Sequence, residues 1–174
     1  MTLHTHVRAI EDYPKPGITF RDLTPLMGNA AAFGACVDQL AGLCEGQAVD
    51  LVAGIEARGF VFGAALARRL DAGFVPIRKP GKLPGETLSQ SYALEYGEDT
   101  LEVHADAAQA SDRVLLLDDL LATGGTACAA AALLDRLGVK PVAAVFAVEL
   151  DGLPGRERLE ALGLQVHSLM RFPA

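Results

Sequence analysis

Two adjacent carboxylates and the loop that follows them are the residues of this chain best suited to chemistry. An apolar run over residues 114–117 ends at Asp118 and Asp119, and residues 122–126 then read Ala-Thr-Gly-Gly-Thr. Such a run is typical of a parallel strand buried on both faces, whose carboxyl end is where α/β sheets bind ligands. Glycine amides and threonine hydroxyls suit a phosphate, whereas buried carboxylates need a cation or the vicinal hydroxyls of a sugar. The run therefore predicts a site for a ribose 5-phosphate.

A second strand-to-helix loop is expected at the same edge of the sheet. Residues 54–59 read Gly-Ile-Glu-Ala-Arg-Gly, and their backbone amides together with Arg58 suit a second phosphate group. An ordinary turn carrying a solvated arginine has the same composition, so the functional interpretation of this loop depends on the run at 118–126.

Residues 78–85 concentrate cations, prolines and glycines in an otherwise acidic protein. Arg78, Lys79 and Lys82 lie in this stretch. Most such stretches are solvated surface loops. A reaction that releases a polyanion while a cation forms would use them to neutralise the leaving group and to exclude water.

These motifs, in this order, resemble those of the type I phosphoribosyltransferases, enzymes that use phosphoribosyl pyrophosphate (PRPP). Residues 120–126, Leu-Leu-Ala-Thr-Gly-Gly-Thr, are similar to the adenine-specific branch, and the resemblance extends from Tyr13 to about Leu150. It implies an α/β fold with a mostly parallel central sheet, helices on both faces, a small N-terminal hood and a flexible lid loop. It also implies transfer of the 5-phosphoribosyl group from PRPP to adenine, which yields AMP and pyrophosphate in purine salvage.

The resemblance implies a role for each group of residues. Asp118 and Asp119 would hold the ribose hydroxyls and favour positive charge on the ring, which makes them catalytic residues. The 5-phosphate would be anchored by the loop Ala122, Thr123, Gly124, Gly125 and Thr126. The pyrophosphate would be bound by Arg58, Lys79, Lys82 and Tyr96. The adenine ring would be contacted by Thr19, Phe20, Arg21 and Leu150.

Four further expectations come from the resemblance alone. A cis peptide bond is expected between Glu56 and Ala57. Glu95 would be a catalytic acid that assists the leaving group and protonation at the base, although sheet propensity alone also predicts alternating Tyr and Leu residues there. Mg²⁺ would be carried mainly by PRPP and keep several waters, so its direct protein ligands stay unspecified. The protein would be a homodimer, with Arg78 or its neighbours near the interface.

Two other functions remain open at this point. An enzyme of the same fold could use xanthine, hypoxanthine or orotate, although the segment Thr19–Arg21 and the Leu-Leu-Ala-Thr sequence favour adenine. A non-catalytic regulator that binds PRPP is the second alternative. Such a regulator would need a basic face or an added DNA-binding domain, and this acidic chain indicates neither.

The elements that must position these residues alternate between strands and helices, which predicts a mostly parallel sheet covered on both faces. Asn29 is a candidate N-cap for one of the helices. Helices are predicted at 3–11, 29–44, 60–70, 127–137 and 156–162. Strands are predicted at 18–22, 50–55, 73–77, 91–96, 100–104, 114–117, 141–148 and 165–170.

Length and composition limit the class of protein. The 174 residues predict a single domain, with the hood at about 1–30 and the lid loop at about 78–90. A formal net charge of −7 argues against binding to nucleic acid or to an anionic membrane. Three cysteines without a C-x-x-C pair indicate neither a disulfide framework nor a zinc site. With no apolar signal-peptide core or membrane-spanning stretch, a cytoplasmic location is expected.

Overall fold

The chain alternates between strands and helices, as the sequence predicts. The computed structural model describes residues 2–93 and 97–174. A 3-10 turn at Leu3–His6 opens the described chain. The strands are β1 Arg8–Ile10, β2 Phe20–Asp22, β3 Leu51–Ile55, β4 Gly73–Ile77, β5 Thr87–Ala93, β6 Glu98–His104, β7 Val114–Leu121, β8 Ala143–Asp151 and β9 Val166–Pro173. The helices are α1 Thr24–Met27, α2 Ala30–Leu43, α3 Arg58–Arg69, α4 Gly125–Arg136 and α5 Gly155–Ala161.

A five-stranded sheet in the order β4-β3-β7-β8-β9 forms the centre of the fold, and every neighbouring pair in it is parallel. Successive residues of the central strand β7 point to opposite faces, so Leu116 joins one hydrophobic core while Leu115 and Leu117 join the other. All three leucines are fully buried. This two-sided burial explains the unbroken apolar run, because a strand without a solvent face has no position for polar residues.

Helices cover both faces of this sheet, which confirms the predicted α/β architecture. On one face, α2 and α3 contribute Leu40, Phe62 and Leu66 to a common core. On the other face, α4 and α5 contribute Leu134 and Leu159, and the antiparallel hairpin β5–β6 packs against the same core. Within the described residues, no helix has the length and apolar character needed to cross a membrane.

The predicted helix at 3–11 is wrong beyond its first turn. Residues Arg8–Ile10 instead form β1, which pairs antiparallel with β2. Leu3 is buried in the core, and the Arg8 Nη2 atom lies 2.6 Å from an Asp22 carboxylate oxygen. Pairing with a strand that follows later in the chain thus overrides a weak local helix propensity.

Several predicted boundaries differ from the observed ones. The strand predicted at 114–117 continues through the two aspartates to Leu121, and α4 begins at Gly125 rather than at residue 127. The strand predicted at 91–96 begins earlier, at Thr87, and its residues 94–96 lie outside the described part of the chain. Gly124 has a φ of 79°, a conformation that glycine adopts without strain, and this turn sets the start of α4.

Candidate active site

The predicted phosphate loops and carboxylates lie at one edge of the central sheet, here named the carboxyl edge: the C-terminal ends of β3, β4, β7 and β8 with the loops that follow them. Parallel strands all end at the same edge, so residues far apart in sequence meet there. The edge brings together Arg58 after β3, Lys79 after β4, the aspartates of β7 and Leu150 of β8.

The Asp118 carboxylate is half-buried against the first turn of α3. It accepts a hydrogen bond from the Asp119 backbone N–H at 2.8 Å. A Cβ atom on Gly59 would lie 2.7 Å from Asp118 Oδ1, so only glycine allows the helix to approach this closely. Burial, together with the negative charge of Asp119, raises the pKa of Asp118 well above its usual range. Hydroxyl groups or a cation at this carboxylate would relieve the cost of that burial.

Asp119 is buried and paired with the first residue of α3. The Arg58 Nε–H donates a hydrogen bond to Asp119 Oδ2, and 41% of the Arg58 side chain remains exposed. The Arg58 guanidinium carbon also lies 5.4 Å from the centroid of the Phe20 ring. Arg58 therefore links the aspartates to β2 while it stays accessible to an anion.

The loop at 122–126 surrounds a cavity of about 200 Å³ that Asp118 also lines. The start of α5 packs closely against this loop, because a Cβ atom on Gly124 would lie 2.8 Å from the Gly155 Cα. The Gly155 N–H donates to the Ala122 carbonyl at 3.1 Å, and the Arg158 Nη1 donates to the Thr123 carbonyl at 2.9 Å. The cavity opens at the N-terminus of α4, where unpaired N–H groups and the helix dipole favour a phosphate.

The cation-rich segment at 78–85 is anchored to the loop at 54–59 through Glu56. The Glu56 Oε2 atom accepts hydrogen bonds from the Lys79 backbone N–H at 2.9 Å and from the Arg78 Nε–H at 3.0 Å. The peptide bond between Glu56 and Ala57 is cis, which confirms that expectation. Lys79 is half-buried at this edge, whereas Lys82 is exposed. The segment thus places Lys79, one of the predicted pyrophosphate ligands, beside the loop that carries another, Arg58.

The residues predicted to contact adenine reach the site in two different ways. Phe20 lies under Arg58, and its ring also meets Tyr13 edge-on at 5.4 Å. Arg21 instead lies over the Phe172 ring at 4.9 Å and donates from Nη2 to the Pro173 carbonyl at 3.1 Å.

Leu150 and Thr19 complete this predicted set. Leu150 is paired in the β8–β9 register with Phe172, the residue whose ring lies under Arg21. Thr19 is half-buried immediately before β2. Glu95 and Tyr96, the predicted acid and pyrophosphate ligand, lie outside the described residues.

Sequence reasoning missed Tyr92 and Asp99, which face each other across the β5–β6 hairpin. The Tyr92 hydroxyl accepts a hydrogen bond from Thr126 Oγ1 at 3.2 Å and donates to Asp99 Oδ2 at 3.1 Å. Asp99 also pairs with the Lys79 ammonium group. Knowledge of the hairpin register would have identified the pair. A tyrosine at position 92 is already expected from β-propensity, so nothing in the sequence indicated its contact with Thr126 in the 122–126 loop.

The donor set at this edge bears on metal binding. Among residues 2–93 and 97–174, no group of three or more His, Cys, Asp or Glu side chains is arranged to hold a metal ion. Asp118 and Asp119 are the adjacent carboxylates at the site. They suit a cation that takes most of its oxygen ligands from a substrate and from water.

Comparison with known proteins gives a consistent result. Residues 29–166 match the model of the phosphoribosyl transferase domain. A curated relative from Neorhizobium galegae, named adenine phosphoribosyltransferase, is 55% identical over 98% of this chain and 94% of its own length. The solved adenine phosphoribosyltransferase of Thermoanaerobacter pseudethanolicus superposes with a TM-score of 0.94, at 50% identity over 98% of this chain and 100% of that one. The Saccharomyces cerevisiae enzyme, solved with an imino-altritol bisphosphate and adenine, gives a TM-score of 0.89, at 37% identity over 96% of both chains.

Proposed function

The chain belongs to the phosphoribosyltransferase family and, within it, to the adenine phosphoribosyltransferases. These enzymes make AMP and pyrophosphate from PRPP and adenine, and we propose how the carboxyl edge of this chain performs the transfer. The observation that carries the proposal is the meeting of three groups at that edge. They are the Asp118–Asp119 pair, the cavity of the 122–126 loop, and the cations Arg58 and Lys79. These groups match the ribose, the 5-phosphate and the pyrophosphate of one substrate.

The ribose and the 5-phosphate are held by β7 and the loop that follows it. Asp118 and Asp119 accept hydrogen bonds from the ribose hydroxyls, and their negative charge stabilises the oxocarbenium-like ring that forms as the C1–oxygen bond breaks. The backbone amides at 122–126 and the hydroxyls of Thr123 and Thr126 bind the 5-phosphate. Because the protein forms no covalent bond to the substrate, the rate depends on position and charge.

The leaving pyrophosphate is neutralised by Arg58, Lys79 and Lys82, the Tyr96 hydroxyl donates a hydrogen bond to it, and Glu95 serves as the acid. Residues 78–90 act as a lid that excludes water while C1 carries positive charge. Residues 1–30 form a hood in which Thr19, Phe20 and Arg21 contact adenine together with Leu150. Both segments belong to a single domain that spans residues 1–174.

Mg²⁺ accompanies PRPP in this proposal. When bound, the ion neutralises phosphate charge, and Asp118 and Asp119 are the residues that would contact it or its waters. We also propose a cytoplasmic homodimer with Arg78 near the interface, without binding to nucleic acid or membrane. The formal net charge of −7 supports the last point, because both of those partners are polyanions.

The test is pyrophosphate release with PRPP and Mg²⁺ against adenine, hypoxanthine, guanine, xanthine and orotate. We expect release with adenine. Activity confined to another base would overturn the adenine assignment, and binding of PRPP without release with any base would favour a regulator. Sedimentation of the purified protein tests the dimer separately.

A further inference from the structure

Four side chains form a continuous polar chain from the lid segment to the 5-phosphate loop: Lys79, Asp99, Tyr92 and Thr126. The Lys79 ammonium group pairs with Asp99 Oδ2 and lies 3.4 Å from the Tyr92 hydroxyl. That hydroxyl donates to the same Asp99 oxygen and accepts from Thr126 Oγ1. The transfer mechanism uses Lys79 and Thr126, but it assigns nothing to Asp99.

The Asp99 carboxylate is held firmly in this position. Its second oxygen, Oδ1, accepts the backbone N–H of Thr100 at 2.8 Å. The hydrogen bond from Lys79 holds the pKa of Asp99 below its usual value. Burial lowers the pKa of Lys79, but the hydrogen bonds from its ammonium group to Asp99 and Tyr92 outweigh it, and the net shift is upward. Both groups are therefore charged at neutral pH.

A pyrophosphate group at Lys79 has to compete with this carboxylate. If the ammonium group turns to the pyrophosphate, its contact with Asp99 is lost. If it stays, Asp99 offsets the positive charge that would attract the incoming anion. The side chains of Lys79 and Asp99 are 36% and 29% exposed, so solvent screens the pair and the competition is moderate.

We propose that Asp99 is a positioning residue that competes with pyrophosphate for Lys79, so that it weakens PRPP binding and speeds pyrophosphate release. This inference rests on the proposed role of Lys79 in binding pyrophosphate. Tyr92 extends the competition to the other end of the substrate, because a 5-phosphate that binds Thr126 Oγ1 takes the hydrogen bond now given to Tyr92.

The variant that tests the proposal is Asp99→Asn, which removes the charge and keeps an oxygen for the Lys79 and Tyr92 hydrogen bonds. We expect the KM for PRPP and the inhibition constant for pyrophosphate both to fall about two- to fivefold, as the loss of a partly exposed ion pair implies. The KM for adenine should stay unchanged. A residue that only stabilised the hairpin would not lower these two constants together.

Two controls separate competition from other effects. Glu98→Gln removes the same charge from the neighbouring, exposed position and should leave the PRPP constants unchanged. In a Lys79→Met background, Asp99→Asn should have no effect, since the group for which Asp99 competes is gone. Should Asp99→Asn unfold, Asp99→Ser gives the same comparison with a smaller polar side chain.

The outcomes distinguish this proposal from the proposed function. If the wild-type protein releases no pyrophosphate from PRPP with adenine, the proposed function fails, while calorimetry with magnesium pyrophosphate still compares the two proteins. If the wild-type protein is active and Asp99→Asn raises both constants or leaves them unchanged, Asp99 does not compete for Lys79. An equal fall in the Lys79→Met background would also overturn the proposal.

Discussion

Gly59→Ala is expected to displace the Asp118 carboxylate and to slow catalysis. The glycine lies in the first turn of α3, and the added Cβ atom would be 2.7 Å from Asp118 Oδ1, 3.3 Å from Asp118 Cα and 3.4 Å from the Leu117 carbonyl oxygen. Real Cβ atoms do not come as close to another atom as the 2.7 Å to Asp118 Oδ1. The contacts with Asp118 Cα and the Leu117 carbonyl oxygen are also tight, and both involve backbone atoms. Either the helix or the aspartate has to shift.

The size of the effect follows from two opposing contributions. Alanine stabilises a helix interior by at most about 1 kcal/mol relative to glycine. Overpacking a buried site costs about 1–3 kcal/mol. We therefore expect Gly59→Ala to lower the free energy of unfolding by about 0–3 kcal/mol. A displacement of about 1 Å at a positioned group lowers kcat/KM by roughly 100-fold.

Gly34→Ala is the matched control, since Gly34 lies exposed within α2 and a Cβ atom there meets nothing within 4 Å. It should stabilise the protein by about 0.5–1 kcal/mol and leave kcat/KM unchanged. Urea unfolding and steady-state pyrophosphate release measure both quantities in both variants. If Gly59→Ala is as active as the wild type and gains as much stability as Gly34→Ala, the added Cβ atom does not displace Asp118.

Four other variants have defined outcomes. Asp118→Asn with Asp119→Asn should nearly abolish turnover while circular dichroism shows an intact fold, and normal turnover would remove both from the mechanism. Arg158→Ala removes the hydrogen bond to the Thr123 carbonyl, and the KM for PRPP should rise about threefold to tenfold, with the KM for adenine as the internal control. Arg156→Ala leaves the buried Glu149 without its main partner, so the free energy of unfolding should fall by about 2–4 kcal/mol. This loss is smaller than for a wholly buried pair, because 29% of the Arg156 side chain is exposed. Hydrogen bonds from Arg156 lower the pKa of Glu149, so its stabilisation is present above the unfolded-state pKa of about 4.3 and is lost as the pH falls through the lower folded-state pKa. Acid titrations of unfolding should therefore be shallower in Glu149→Gln, and identical titrations would contradict the assignment.

Local patterns account for the parts of the fold that the sequence predicts well. The strand predicted at 73–77 has the observed bounds, and Asn29 caps α2 by accepting the Ala32 N–H at 3.0 Å. Both features depend on residues that are neighbours in sequence. The parallel sheet follows from apolar runs that need two buried faces, and the family follows from motifs that each span only a few residues.

Features that depend on pairing between distant segments could not be predicted in this way. The strand β1 exists because β2 is available to pair with it, and no periodicity within residues 8–10 indicates this. The contact between Tyr92 and Thr126 likewise joins residues from β5 and α4, which only the three-dimensional fold brings together. The start of α4 depends on the close approach of Gly124 to Gly155.

Three cations at the carboxyl edge are each paired with a carboxylate of the protein, which changes how the affinity for a polyanion should be understood. Arg58 pairs with Asp119, Arg78 with Glu56 and Lys79 with Asp99. Each pair keeps a positive charge at the edge of an acidic protein and neutralises it with a carboxylate. If these cations bind PRPP as proposed, binding exchanges one set of ion pairs for another, and its free energy is the difference between two sets of contacts. Carboxylates that touch no substrate in the proposed mechanism, such as Glu56 and Asp99, therefore contribute to the affinity for PRPP.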